Sequence, residues 1–509
     1  MTTEQPSAVA PRVPAARTPV SAPPTEPEVP ARRGFLAKAF GVTALLSAAG
    51  SALGLLRDLL LARYFGASQG TDAFLVSWTV PETAAPLLIE DAMAFLMVPA
   101  FSLALVLRDE RPQGPDPVRQ LVRATLPWLL LSLCVLSAAT ALGAPQLVGL
   151  LAPGLADPGL AVTCTRITAL TILPFGLAGY LGSALRAHHR FTAPAGIYVA
   201  YNLAILTVLL TGHGVLGVTS AAVGVALGSL LMAAVLVAPF ARRLREGRRR
   251  RARRGSAGLV LIPLAILPVA AFTLTRQAQV FIERYLGSGL PPGTISHLNY
   301  AAKVSQLAMT AAILICTVTF PLVARALAAG DLAAARDRVE KDLGQAAALV
   351  LAGTAFLMAC APSVVALLFE RGAFGPLDTA ATADVIRVYS FGLPAQALIG
   401  VMVRPYFSVR PVVRRADDPQ TDDGRRKLLD WYPVAAMLVG LLVTVVVSLG
   451  SVCIRDRLST LVGGTCVLLV FAALGTAFGA GEVRGPVLAL VRAVFPSPPA
   501  AEGKLPDGR

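Results

Sequence analysis

The sequence predicts an all-α polytopic membrane protein of about twelve transmembrane helices, arranged as two repeated lobes. Three observations predict it. The first is composition: 55% of the residues are hydrophobic and 15% charged, where a soluble domain carries about 25% charged residues. Mean hydropathy is +0.66, which excludes a disordered chain and argues against an ordinary soluble enzyme. The second is the alternation of long apolar runs with short loops, every other one of them basic. The third is an internal repeat.

Taken in order, residues 1–33 hold prolines at 6, 11, 14, 19, 23, 24, 27 and 30 and almost nothing that could build a core. They are expected to form a disordered Pro-rich cytoplasmic tail. A span needs about 20 apolar residues. On that measure the N-terminal lobe, 34–241, holds spans near 35–64, 72–107, 121–151, 160–186, 191–211 and 214–240. A cytoplasmic linker, 242–256, carries nine arginines between 242 and 254. The C-terminal lobe, 257–409, holds spans seven to ten near 257–285, 294–326, 344–369 and 380–408. A polar loop at 410–430, two last helices within 431–480 (432–454 and 459–479) and a Pro-rich tail, 481–509, complete the chain.

The loops orient these spans. Arg and Lys cluster before span one and after spans two, four, six, eight and ten, while alternate loops such as APGLADPG and TGHGVLG lack them. Arg371 and the Arg455/Arg457 pair are the exceptions. This bias puts both termini in the cytoplasm. It also accounts for the net charge of +15 without nucleic acid. The basic loops are expected to touch anionic membrane lipids instead.

The repeat is carried by four matches in register. Arg63-Tyr64-Phe65-Gly66 ends span one, with Val98-Pro99 beyond it; Arg284-Tyr285-Leu286-Gly287 ends span seven, with Phe320-Pro321 at nearly the same offset. Leu150-Leu151 precedes Phe175-Gly176-Leu177 much as Leu367-Leu368 precedes Phe391-Gly392-Leu393. Spans seven to ten therefore repeat spans one to four. Repeated membrane halves mark transporters with a site between the halves.

Charged groups inside spans are costly and normally face a cavity. Arg57, Glu90 and Arg276 lie deep in their spans, and Lys303 and Arg404 are further cavity candidates. Arg63, Glu283 and Arg284 stand near span ends and read as interfacial snorkelling groups. Pro81, Pro174, Pro268 and Pro394 interrupt spans two, four, seven and ten, freeing carbonyls or serving packing. Asn202 is a lone polar residue in span five, expected to bond between helices. The six cysteines read as packed free thiols. The four histidines show no metal spacing, and GxxxxGK[ST], HExxH and GxSxG are absent. The sequence thus points to no enzyme chemistry, no metal and no cofactor.

One family has these features together. The stretch from Gly54 through Arg57-Asp58, Arg63, Phe65-Gly66 and Asp72-Ala73-Phe74 resembles the first signature of the MurJ/MviN lipid II flippases. Val80-Pro81, Glu90 and Val98-Pro99 continue it. Phe191 and Pro194 with Asn202, Gly293 to Lys303, Leu368 to Phe374 with Thr379, and Tyr389 to Tyr406-Phe407 resemble the family's later helices. The resemblance covers about 35 to 410.

It implies the fold of the multidrug/oligosaccharidyl-lipid/polysaccharide exporters, two lobes forming a V around a central cavity. It implies flipping of a polyprenyl-pyrophosphate-linked cell-wall precursor, a glycolipid like lipid II, across the bacterial cytoplasmic membrane by alternating access. Cell-wall synthesis proteins would be further partners. Arg57 and Lys303 would contact the pyrophosphate, with Arg276 and Arg404 as further cavity cations; Asp72, Glu90 and Asn202 would serve coupling or conformational change. This chain departs from the family where Ala85 and Pro86 replace a basic pair on helix two, and where Glu82 adds an acid. A degenerate paralogue acting as a membrane scaffold, and an exporter of another lipid or drug in the same fold, are the alternatives.

Overall fold

A computed structural model describes the backbone of residues 30–90, 92–110, 116–246, 259–261, 267–307, 309, 332–407 and 413–415. The predicted tail up to residue 29, most of the Arg-rich linker, the 410–430 loop beyond 415, spans eleven and twelve and the C-terminal tail lie outside the described residues. Within them the chain is helical, apart from two three-residue strands, Leu259–Leu261 and Val413–Arg415, that pair antiparallel.

Helix α1 (Pro30–Phe65) begins inside the predicted tail. Pro30 occupies its first position, where a missing N–H costs nothing. Ser68 caps α2 (Gln69–Ala85), its hydroxyl accepting from the Thr71 N–H at 3.3 Å. A π-turn, Pro86–Glu90, then leads into α3 (Ala92–Glu110). Asp116 caps α4 (Pro117–Leu142), which is followed by the short α5 (Ala144–Leu151). Asp157 caps α6 (Pro158–Ala169), and α7 (Ile172–Ala187), α8 (Thr192–Leu216) and α9 (Thr219–Glu246) follow. In the second half come α10 (Leu267–Ser288), α11 (294–307), α12 (Leu332–Phe369) and α13 (Pro376–Phe407).

Seven stretches among the described residues are long and apolar enough to cross a membrane: Gly41–Phe65, Gln69–Glu110, Pro117–Leu142, Pro158–Ala187, Thr192–Leu216, Thr219–Arg245 and Ala348–Phe369. Their outer faces are apolar. On α4, Trp128, Leu131, Val135 and Leu142 are 72%, 55%, 60% and 80% exposed, while Leu133 and Ser137 are buried. A helix that turns its large apolar side chains outward suits lipid, not water. Cys134 stands on this exposed side and Cys164 is buried, so the expectation of uniformly packed thiols fails at Cys134.

Two apolar clusters form. One unites α1 to α9 with Ile295 of α11, and has Leu61, Phe101, Phe175, Tyr180 and Leu209 among its buried members. The other unites α11, α12 and α13 through Tyr300, Val365, Phe369, Phe374 and Ile386. Adjacent residues of α1 are divided between them, Leu61 in the first and Ala62 in the second. Helix α1 is thus the seam of the molecule.

The breaks differ in part from the sequence reading. Span two breaks at Pro86, where the π-turn starts, and α2 runs through Pro81. Each proline withholds an N–H from the carbonyl four residues before it. For Pro81 that carbonyl is Ser77 O, which accepts from the Thr168 hydroxyl at 3.0 Å. For Pro86 it is Glu82 O, which accepts from Gln277 Nε2 on α10 at 2.7 Å. Span four does divide close to Pro174, between α6 and α7. Span seven, read as 257–285, holds the strand Leu259–Leu261 in place of helix, and helix α10 is described from Leu267. Pro268 then lies in the first turn of α10 instead of interrupting it, and α13 runs through Pro394.

Candidate functional site

Where the two clusters meet, charged groups from α1, α2, α10 and α11 converge. Arg57 stands eight residues before the end of α1, about 12 Å along the axis. Its guanidinium donates to Asp58 Oδ1 at 2.7 and 2.9 Å and lies 4.6 Å from the centre of the Trp78 ring on α2. Lys303 Nζ on α11 meets Glu82 Oε1 at 3.4 Å. Arg284 on α10 meets Glu82 Oε2 at 3.7 Å and donates to Asn299 Oδ1 at 3.4 Å. Glu82 therefore joins the first lobe to two cations of the second.

Next to Arg284, Glu283 accepts from Gln279 Nε2 at 2.7 Å and from the Tyr389 hydroxyl on α13. Among the described side chains the cluster sets Arg57, Arg284 and Lys303 against Asp58, Glu82 and Glu283. The open space beside Arg57, Trp78, Asn299 and Lys303 has room for about one water.

A second contact lies at one end of the bundle, where α1, α10 and α12 finish and α2, α11 and α13 begin. There Asp72 on α2, 4% exposed, accepts from Gly293 N at 2.6 Å, Ser296 N at 2.8 Å and Ser296 Oγ at 2.6 Å. A first-lobe carboxylate thus caps the N-terminus of a second-lobe helix, where unpaired N–H groups favour an anion. Ala373 N donates to Arg63 O at 2.9 Å, and Gly154 N to Ser288 Oγ at 3.2 Å. Two glycines permit the approach. A Cβ on Gly66 (φ +61°) would stand 2.5 Å from Ala373 O, and one on Gly293 (φ +93°) 2.6 Å from Ala67 O. This end is sealed by backbone against backbone.

The residues singled out in the sequence fall into three groups. Arg57 and Lys303 come together in the cluster. Asp72, Glu90 and Asn202 stand elsewhere: Asp72 in the seal, Glu90 at the end of the π-turn accepting from the Tyr198 hydroxyl, and Asn202 donating at 3.0 Å to Gly50 O on α1. Arg276 and Arg404 belong to α10 and α13, and their side chains lie outside the described residues.

Arg284, read from sequence as a snorkelling group, is 2% exposed and central. Its counterpart in the repeat, Arg63, is exposed, so the repeat could not reveal it. Glu82, Trp78 and Asn299 were missed as partners because only the tertiary fold brings them together.

Comparison with known proteins gives a consistent result. Residues 61–413 match the family model described as "Lipid II flippase MurJ". The probable lipid II flippase MurJ of Rhizobium meliloti (strain 1021) is 29% identical over 368 residues, covering 70% of this chain and 67% of that protein. The lipid II flippase MurJ of Burkholderia cenocepacia is 27% identical over 405 residues, covering 72% and 73%. Among solved structures, a lipid II flippase MurJ in an inward closed conformation superposes with a TM-score of 0.59 at 19% identity, over 85% of this chain and 98% of that one. An inward-facing multidrug MATE transporter superposes at 0.61 and 13% identity, over 87% and 96%. At these identities the superpositions speak for the fold.

Proposed function

The chain belongs to the lipid II flippase MurJ family, and on that premise we propose that it moves a lipid II-like, polyprenyl-pyrophosphate-linked cell-wall precursor across the bacterial cytoplasmic membrane. The observation that carries the reading is the meeting of Arg57, Arg284 and Lys303 where two apolar clusters adjoin. A pyrophosphate needs forked and point-like cations, which Arg and Lys supply. In an apolar span such cations stand where an anion must pass.

Alternating access needs one end shut while the other opens. The Asp72 bonds and the Gly66 and Gly293 contacts support a state shut at one end. On the charge bias of the loops, with both termini cytoplasmic, the shut end faces outward. Cargo would then enter from the cytoplasmic side, between the lobes 34–241 and 257–409, and leave after the seal parts. Arg276 and Arg404 are proposed as further cavity cations, Glu90 and Asn202 as groups whose bonds change as the lobes move. The basic loops would rest on anionic lipid, with cell-wall synthesis proteins as neighbours.

The test is complementation in bacteria depleted of their own lipid II flippase. Growth is expected with the wild-type chain and is expected to be lost with R57A or K303A, each expressed in the membrane at the wild-type level. Absence of rescue by well-expressed wild-type protein counts against lipid II as the cargo.

A further inference from the structure

Glu82 sits poorly where it sits. It faces two cations, yet its contacts, 3.4 Å to Lys303 and 3.7 Å to Arg284, are longer than the 2.7–2.9 Å of a good charge-assisted hydrogen bond. Arg57 and Asp58, by contrast, meet at 2.7 Å. Glu82 Oε2 is buried and makes no hydrogen bond among the described residues. The same holds for Arg284 Nε and Nη1, on a side chain 2% exposed. A guanidinium with two unused buried donors and a neighbouring ammonium form an anion site that one carboxylate cannot fill. The carboxylate is delivered there by the break in α2: Pro86 frees the Glu82 carbonyl, and Gln277 of α10 fixes it at 2.7 Å.

We infer that Glu82 is a resident counter-ion, holding Arg284 and Lys303 while no cargo is bound and yielding both to the pyrophosphate of the cargo. This rests on the flippase reading above and deepens it. A pyrophosphate brings several acceptor oxygens to donors that Glu82 leaves unused. Its arrival breaks the Glu82 ion pairs to α10 and α11 and leaves the Gln277 bond to the Glu82 carbonyl, so binding weakens the contact between lobes. Glu82 is a specificity-setting residue in this scheme: an uncharged or cationic cargo cannot displace it.

Two measurements on the full-length protein in lipid nanodiscs test this. The first is binding of polyprenyl pyrophosphate to wild type, E82D and E82Q. E82Q keeps the shape and removes the competing charge, so it is expected to bind about fivefold or more tightly than wild type, with E82D close to wild type. Equal or weaker binding by a folded E82Q overturns the counter-ion while leaving the flippase reading intact. Failure of both wild type and E82Q to bind overturns the flippase reading and this inference with it.

The second measurement needs no variant. A hydrophobic carbodiimide should join Glu82 to Lys303 as an amide, seen by mass spectrometry, and saturating polyprenyl pyrophosphate should suppress the product. Cross-linking undiminished by bound lipid overturns the inference.

Discussion

A single carboxylate, Asp72, holds more of the lobe contact than any other side chain described, because it satisfies three donors of the opposite lobe at once. Hydrogen bonds to a charged group contribute about 1.5–3 kcal/mol each. D72N removes the charge and one acceptor position. It is expected to speed amide exchange at Gly293 and Ser296 about tenfold or more, since 1.4 kcal/mol is a factor of ten. Unchanged exchange would show that the seal does not depend on the carboxylate. The sequence made Asp72 visible through its motif but gave no partner, because Gly293 and Ser296 lie more than two hundred positions away. Arg284 shows the opposite case. Near a span end it reads as a snorkelling group, and only the approach of Glu82 and Asn299 makes it a site residue.

Among the elements, helix α2 carries the most mechanism. Pro81 within it and Pro86 just after it free two of its carbonyls, one taken by Thr168 within the lobe and one by Gln277 across the boundary. Gly179 of α7 makes room for the π-turn, since a Cβ there would stand 1.8 Å from Leu88 O. A proline inside a helix costs about 3 kcal/mol, so P86A is expected to keep or raise thermal stability in detergent while lowering growth in the complementation assay. A loss of stability instead would show that the break is needed for folding alone. The first six spans were legible in the sequence because each is a long apolar run bounded by polar loops. The position of the break in α2 was not, because Pro81 and Pro86 look equivalent in the chain and differ only in what satisfies the freed carbonyl. The strand at Leu259–Leu261 was hidden because an apolar run reads equally as helix or strand.

For the whole molecule, composition announced a membrane protein, and the described helices pack into two apolar clusters that meet along α1. The net charge of +15 belongs mainly to loops and says little about cargo. Among the described side chains the site sets three cations against three carboxylates. A resting balance is what a transporter of an anion needs in a low-dielectric setting, where bare cations would be costly. The central claim is that these lobes carry a pyrophosphate-linked lipid between leaflets through the Arg57, Arg284 and Lys303 site. Its most direct test is translocation of fluorescent lipid II in proteoliposomes of the purified full-length chain. The account predicts movement between leaflets above that of protein-free vesicles, lost in K303Q at equal reconstitution. Translocation no faster than in protein-free vesicles, or undiminished in K303Q, would contradict it.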